Sequence, residues 1–275
     1  MASTFDRVVF AQRLGTRRLG RTLIARGEVG STNDVAWEAC AVGAPDGAVV
    51  VADAQTHGRG RAGREWHTTP GRSLALSLLL RPGGDRGAVG LLPLAVGLAV
   101  AQALESLGAR PALKWPNDVL LAGRKVAGVL CESRGPARTG APREAAVPMR
   151  DGVVVGVGVN VAQTREELPA EIAGTATSLS LEGVVTVRET VAAAVLNALE
   201  PLWHGLQHGE RAALLEAWSK RAGFWGRDVA VRTPAGEVRG VARALDPDGA
   251  LRLERPDGTE ALVLAGDLEM PGEAP

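Results

Sequence analysis

Gly152-Val-Val-Val-Gly-Val-Gly-Val-Asn-Val161 is the stretch that decides the fold. A β-branched run of this length reads as a buried β-strand. Its two inner glycines make room for something close by, and Asn160 closes the run with a polar amide. The third glycine and the following helix of a dinucleotide fingerprint are missing. Working outward, Gly47–Ala52 and Ser73–Leu80 read as further strands, and Ala88–Leu107 as a helix ending at Gly108. A strand runs to Trp115, Pro116-Asn117 turns, and a strand–turn–strand follows around Ala122-Gly123-Arg124. Ser31 or Thr32 is placed to cap a helix beginning near Val35, with Asp34 at its positive end. Helical patterns return over 188–222, and residues 133–152, rich in Gly, Pro and Arg, read as a surface loop. Strands and helices in this irregular order predict an α/β (α+β) domain on a mixed sheet, not a regular βαβ winding.

At Gly223 the character changes. Asp228–Arg232, Val238–Ala244, Ala250–Glu254 and Thr259–Leu264 are short strand candidates, divided by Pro-Ala-Gly and Pro-Asp-Gly turns. This spacing predicts a small β-barrel. The chain divides accordingly into an N-terminal segment (1–28), a main domain (29–222) and a C-terminal domain (223–275).

Lys+Arg and Asp+Glu each total 31, so the net charge is zero, which argues against a dedicated nucleic-acid or membrane binder. Only Lys114, Lys125 and Lys220 are lysines, so a lysine inside a polar motif stands out against an arginine-rich background. Cys40 and Cys131 are too few for a disulfide framework and suit a reducing, cytoplasmic setting. The longest apolar run, Ala88–Ala101, falls short of the roughly 20 residues that span a membrane. There is no secretory h-region.

Three polar clusters interrupt the apolar pattern. In Gln55-Thr-His-Gly-Arg-Gly-Arg-Ala-Gly-Arg-Glu-Trp66, Arg59, Arg61 and Arg64 alternate with Gly58, Gly60 and Gly63. The backbone can wrap closely there while guanidinium groups converge on a carboxylate or phosphate. A flexible RG loop or an RNA-binding RG tract would carry the same residues. Lys114-Trp-Pro-Asn117-Asp118 and Arg124-Lys125-Val-Ala-Gly128 form the second cluster. Asn117 and Asp118 could simply serve the turn, whereas Lys125 in an apolar strand needs an anion. The third cluster is Gly156-x-Gly158-x-Asn160, whose amide suits a bond to a base. No metal-ligand spacing, Gly-x-Ser-x-Gly or Walker loop is present. The chemistry is therefore expected to hold substrates with cations, without a covalent enzyme intermediate.

Taken with Ser31-Thr32-Asn33, these motifs, in this order and spacing over roughly residues 29–265, resemble the biotin protein ligases. The resemblance implies a class II synthetase-like mixed-sheet catalytic domain followed by an SH3-like β-barrel. It implies ATP-dependent biotinylation, with Mg²⁺, of a lysine on a biotin carboxyl carrier domain through biotinyl-5′-AMP. By the same resemblance Ser31, Thr32, Asn33 and Gln55 contact biotin, and Arg59, Gly60 and Arg61 fold over biotin and the adenylate. Lys125 bridges the biotin carboxylate and the α-phosphate. Arg61, Arg64, Lys114 and Asn117 address phosphates, Asn160 the adenine, and Asp118 the Mg²⁺ or the incoming lysine. Lys125, Arg61, Asp118 and Lys114 are the catalytic candidates. Ala62 stands where many bacterial members carry arginine. The 28 residues before Val29 are too few for the DNA-binding domain of bifunctional members, so a monofunctional ligase is expected. Lipoate or octanoate transfer and a non-catalytic biotin sensor are the alternatives. Family members often pair through the central sheet, so the resemblance allows a homodimer and leaves monomer or dimer open.

Overall fold

The computed structural model describes residues 3–83, 87–134 and 152–270. Helix α1 (Arg7–Arg13) is capped by Asp6, whose carboxylate accepts from the backbone N–H groups of Val8 and Val9. Strand β1 (Leu23–Val29), helix α2 (Thr32–Ala41) and strands β2 (Val49–Gln55) and β3 (Ser73–Leu80) follow. Next come α3 (Gly87–Gly90), α4 (Leu92–Ser106), β4 (Ala112–Lys114), β5 (Asp118–Leu121), β6 (Arg124–Arg134) and β7 (Gly152–Asn160). The expected helix over 88–107 is thus two helices, α4 starting afresh with a proline in its first turn, where a missing N–H costs nothing. Of the expected 133–152 loop, both ends lie in strands β6 and β7, because Ser133 and Arg134 pair with Val153 and Gly152; the remainder lies outside the described residues.

The seven strands form one mixed sheet in the order β1-β2-β3-β7-β6-β5-β4. Among the described strands of this sheet, β1 and β2 alone form a parallel ladder. Period-2 alternation splits each strand between two faces. Val153, Val155, Val157 and Val159 join the large core with even-numbered leucines of β3 and with α4 and α5 (Arg188–Gln207). The opposite face carries α2, whose Trp37 and Cys40 pack on Val50, Leu79 and Val154. Gly156, Gly158 and Asn160 fall on this second face, with Ser73, Ala75 and Ser77 of β3. Helix α4 is apolar on nearly every side as far as Ala101 because it is buried there, and it turns polar only in its last turns.

The N-terminal segment supplies α1 and most of β1, and it is pinned along α5. Glu189 accepts from Asp6 N–H, Asn197 from Gly15 N–H, and Glu200 from the N–H groups of Arg17, Arg18 and Leu19 at 2.6, 2.7 and 2.9 Å. Beneath it Arg188, 5% exposed, pairs with Asp53 at 2.6 Å.

After α6 (Arg211–Ser219) come β8 (Asp228–Thr233), β9 (Gly236–Leu245), β10 (Leu251–Glu254), β11 (Glu260–Val263) and β12 (Asp267–Glu269). They make an antiparallel sheet ordered β11-β10-β9-β8-β12, and its described pairings do not close it into a barrel. Strand β12 escaped the sequence reading, being only three residues long. The Asp246–Gly249 turn seats the sheet on the main body. Gly249, at φ +83°, presses on Leu91 and Leu94, and its carbonyl accepts from Trp115 Nε1 at 3.1 Å. Among the described residues no helix is long and apolar enough to cross a membrane.

Candidate active site

A cavity of about 720 Å³ opens on the α2 face of the sheet. Every residue assigned above to biotin, ATP or catalysis lines it: Ser31, Thr32, Asn33, Gln55, Arg59, Gly60, Arg61, Arg64, Lys114, Asn117, Asp118, Lys125 and Asn160. Trp66 and Gln163 also line it, as do Asp267 and Glu269 of the C-terminal sheet.

The floor is a row of small residues. Ala75, Gly158 and Gly128 stand in register across β3, β7 and β6. The indole of Trp66 lies over that row, so tightly that a Cβ on Gly158 would overlap the ring. A Cβ on Gly156 would meet Asn33 Oδ1 at 2.6 Å. The glycines of the valine strand are therefore accommodations, and what they accommodate is a tryptophan and an asparagine of the cavity wall. At the other end of the loop, Gly58 has no room for a Cβ beneath the Trp66 carbonyl, and it accepts from Trp66 N–H at 2.9 Å.

At one end, the start of α2 is organised from the neighbouring strands. Ser31 occupies the cap position with no side-chain cap bond. Instead Gln55 Oε1, from β2, accepts from Thr32 N–H at 2.8 Å and Thr32 Oγ1 at 3.0 Å. The expected Ser31 or Thr32 cap is thus replaced by a glutamine side chain from another element. Ser77 Oγ lies 2.7 Å from Thr32 Oγ1 and 2.6 Å from Asn33 Oδ1. The buried Asn33 Nδ2 is left without an acceptor, a donor facing a demand that a ligand carbonyl or carboxylate can meet.

Near the centre Lys125 Nζ sits 2.7 Å from Asp118 Oδ1 and 5.9 Å from the Trp66 ring centroid. The anion that Lys125 required is Asp118, brought alongside because β5 and β6 are adjacent antiparallel strands. Lys114 lies opposite Asp118 in the β4–β5 ladder. Asn117 reaches beyond its own turn: its Nδ2 donates to the Val129 carbonyl at 2.9 Å, and its Oδ1 accepts from Arg61 Nη1 at 3.1 Å. Arg61 also donates to the Gly266 carbonyl at 3.3 Å, and Arg64 to Asp267 at 2.6 Å. Arg59 lies at the cavity's rim with its guanidinium turned to Asp34 and Glu132, at 2.7, 2.8 and 3.2 Å. Its hydrogen bonds and charge hold the Asp34 carboxyl below the ordinary aspartate range, against the opposing effect of burial.

Asn160 spends both ends of its amide inside the protein. Its Nδ2 donates to the Thr177 carbonyl at 2.9 Å and its Oδ1 accepts from Gln163 Nε2 at 2.9 Å. Gln163 Nε2 also reaches Ser73 Oγ at 2.7 Å, which leaves the buried Gln163 Oε1 without a partner. Gln163, Ser73 and Ser77 are supports that the sequence reading missed. A signal was available in two serines four apart, on one face of the apolar strand Ser-Leu-Ala-Leu-Ser-Leu-Leu-Leu. Cys131 packs, partly buried, against the core, and burial pushes its thiol up to about 12.

Residues 28–142 match the Biotin/lipoate A/B protein ligase family, and residues 224–270 match the Biotin protein ligase C terminal domain. A biotin–[acetyl-CoA-carboxylase] ligase of Mycobacterium tuberculosis is 36% identical over 274 residues, 96% of this chain and 94% of its own. Its counterpart in Paracoccus denitrificans is 36% identical over 242 residues, 86% of this chain and 95% of its own. The biotin protein ligase of Aquifex aeolicus, solved in complex with biotin and ATP, superposes with a TM-score of 0.74 at 29% identity, covering 90% of this chain and 98% of that one. On relatives 36% identical over nearly the whole of both chains, the chain belongs to the biotin protein ligase family.

Proposed function

We propose that the chain catalyses ATP-dependent biotinylation of a lysine on a biotin carboxyl carrier domain, through biotinyl-5′-AMP. One observation carries this reading. A single cavity joins an amide and hydroxyl cluster at the start of α2 to the cations Lys125 and Arg61. The first set, Ser31, Thr32, Asn33 and Gln55, offers the open Asn33 donor that a bicyclic urea and its carboxylate chain can fill. The second set gathers where two anions must be brought into contact.

In the first half-reaction a biotin carboxylate oxygen attacks the α-phosphorus of ATP, the bond to the β-phosphate breaks, and pyrophosphate leaves. Lys125 and Arg61 neutralise the carboxylate and α-phosphate, whose mutual repulsion otherwise opposes contact. Gly60 lets the loop backbone approach, and Lys114 and Arg64 face the outgoing phosphates, with Asn117 steadying Arg61. Gln163, whose Oε1 has no partner within the protein, offers an acceptor to the base, and Asn160 holds it in place. In the second half-reaction the carrier amine attacks the acyl carbon, AMP leaves, and Asp118 takes the amine's proton. Positioning supplies most of the acceleration, as it can for two bound reactants. The donor set fits Mg²⁺ only as an ion carried on ATP, because among the described residues no three His, Cys, Asp or Glu side chains converge to cage one. Asp118 would be its protein ligand, and the bound ion would offset triphosphate charge. A homodimer through the central sheet and a cytoplasmic location complete the proposal.

Incubation with biotin, ATP, Mg²⁺ and a carrier domain, followed by intact-mass analysis, tests this. A biotin-sized gain on one carrier lysine is expected. A gain with lipoate in place of biotin would favour the lipoyl alternative. Biotin binding without pyrophosphate exchange would favour a sensor.

A further inference from the structure

The arginine nearest the start of α2 has its charge satisfied by the protein. Arg59 donates through both Nη atoms to Asp34, at 2.7 and 2.8 Å, and through Nη2 to Glu132 at 3.2 Å. Glu132 is held in turn by Trp37 Nε1 at 3.0 Å. Neither carboxylate lines the main cavity. Asp34 sits in the first turn of α2, directly after the Thr32 and Asn33 that do line it, and Glu132 lies on β6 beyond the floor.

We propose that Arg59, Asp34 and Glu132 form a latch that fastens the glycine-framed loop to the start of α2. Arg59 is then a positioning residue, which touches no reacting atom. A loop framed by Gly58, Gly60 and Gly63 carries high backbone entropy unless something ties it down. A bidentate guanidinium–carboxylate pair restricts orientation as well as distance. The geometry couples two events: the loop can close fully only when the first turn of α2 is seated, and that turn bears the groups assigned above to biotin. The consequence is retention. With the latch intact the adenylate stays until the carrier arrives; with it broken, formation continues and escape accelerates. This rests on the adenylate-forming reading given above.

The test uses the full chain carrying Asp34→Asn, Glu132→Gln, or both. The first arm needs no ligand: trypsin cleavage after Arg59, Arg61 and Arg64 is timed against circular-dichroism melting. The double variant should be cut in this loop roughly 3- to 10-fold faster at unchanged melting temperature, the range expected for a partly exposed charge network. The second arm measures escape of radiolabelled biotinyl-AMP after a chase with excess unlabelled biotin. Dissociation should rise by a similar factor, while single-turnover adenylate formation stays near wild type. Asp34→Glu, which keeps the charge, should restore most of the protection. Loop cleavage in the double variant at the wild-type rate overturns the latch, whatever the second arm shows. Absence of adenylate in the wild type overturns the catalytic reading, while faster cleavage in the first arm would still uphold the latch.

Discussion

Gly158→Ala separates catalysis from folding. A methyl group at this position would stand 2.5 Å from Trp66 Cζ2 and Nε1, and nearer still to Cε2, where ordinary contact begins at 3.4 Å. The ring must therefore retreat by at least about 0.9 Å. The strand cannot yield instead, because Gly158 is clamped between Ala75 on β3 and Gly128 on β6. Nor can the tryptophan backbone slide freely, since its N–H is tied to the Gly58 carbonyl at 2.9 Å. The indole has to tilt off the floor, towards Lys125 and into the space assigned to substrate. Overpacking of this kind costs about 1–3 kcal/mol of stability, a drop of a few degrees in melting temperature. A displacement near 1 Å beside the reacting groups costs on the order of 100-fold in rate. Pyrophosphate exchange and thermal melting measured together should show that split. Gly90→Ala, at a helical position with open space around it, serves as the control. A folded Gly158→Ala protein exchanging within about threefold of wild type would refute the reasoning.

Lys125→Ala should melt close to wild type, because the side chain is 31% exposed, yet lose adenylate synthesis by about 10- to 150-fold, as expected for one charge-assisted contact. Arg61→Gly removes the bonds to Asn117 and the Gly266 carbonyl, so biotinyl-AMP should escape and label bystander lysines on albumin; an unchanged off-rate with no labelling would count against it. Arg188→Leu leaves the buried Asp53 carboxylate without its cation and should cost about 3–5 kcal/mol, read from chemical denaturation. Cys131, with its thiol pushed from 9.0 up to about 12, should resist iodoacetamide at pH 8 until the protein unfolds. The native state holds that proton more tightly than the unfolded chain, so its stability contribution is complete below about pH 9 and declines as pH climbs towards 12.

Much of the site was legible because it is built from local motifs. The Gly-Arg loop, the Lys114–Asp118 turn and the Lys125 strand each break an apolar pattern, and a break in pattern is visible along one dimension. Their partners were less visible. Asn117 looked like a residue serving its own turn, yet it bonds Val129 and Arg61. Asn160 looked like a free amide for a base, yet it is spent on Thr177 and Gln163. Asp34 looked like a helix-end charge, yet it holds Arg59. A side chain's hydrogen-bonding capacity can be read from its residue type, but which of several acceptors claims it depends on distances between elements far apart in sequence.

The sequence by itself determined the main strands and helices, the mixed-sheet class and the polar motifs that line one side of the cavity. Periodicity and turn chemistry are short-range, and they act on residues within a few positions of one another. Only the tertiary structure decided that Gly128, Gly158 and Ala75 make one row under Trp66, because the register between strands far apart in sequence sets it. Only the tertiary structure decided that β12 brings Asp267 to Arg64 and Gly266 to Arg61. A three-residue strand carries almost no periodic signal; its place is fixed by pairing with β8 and by contacts to a loop some two hundred positions earlier.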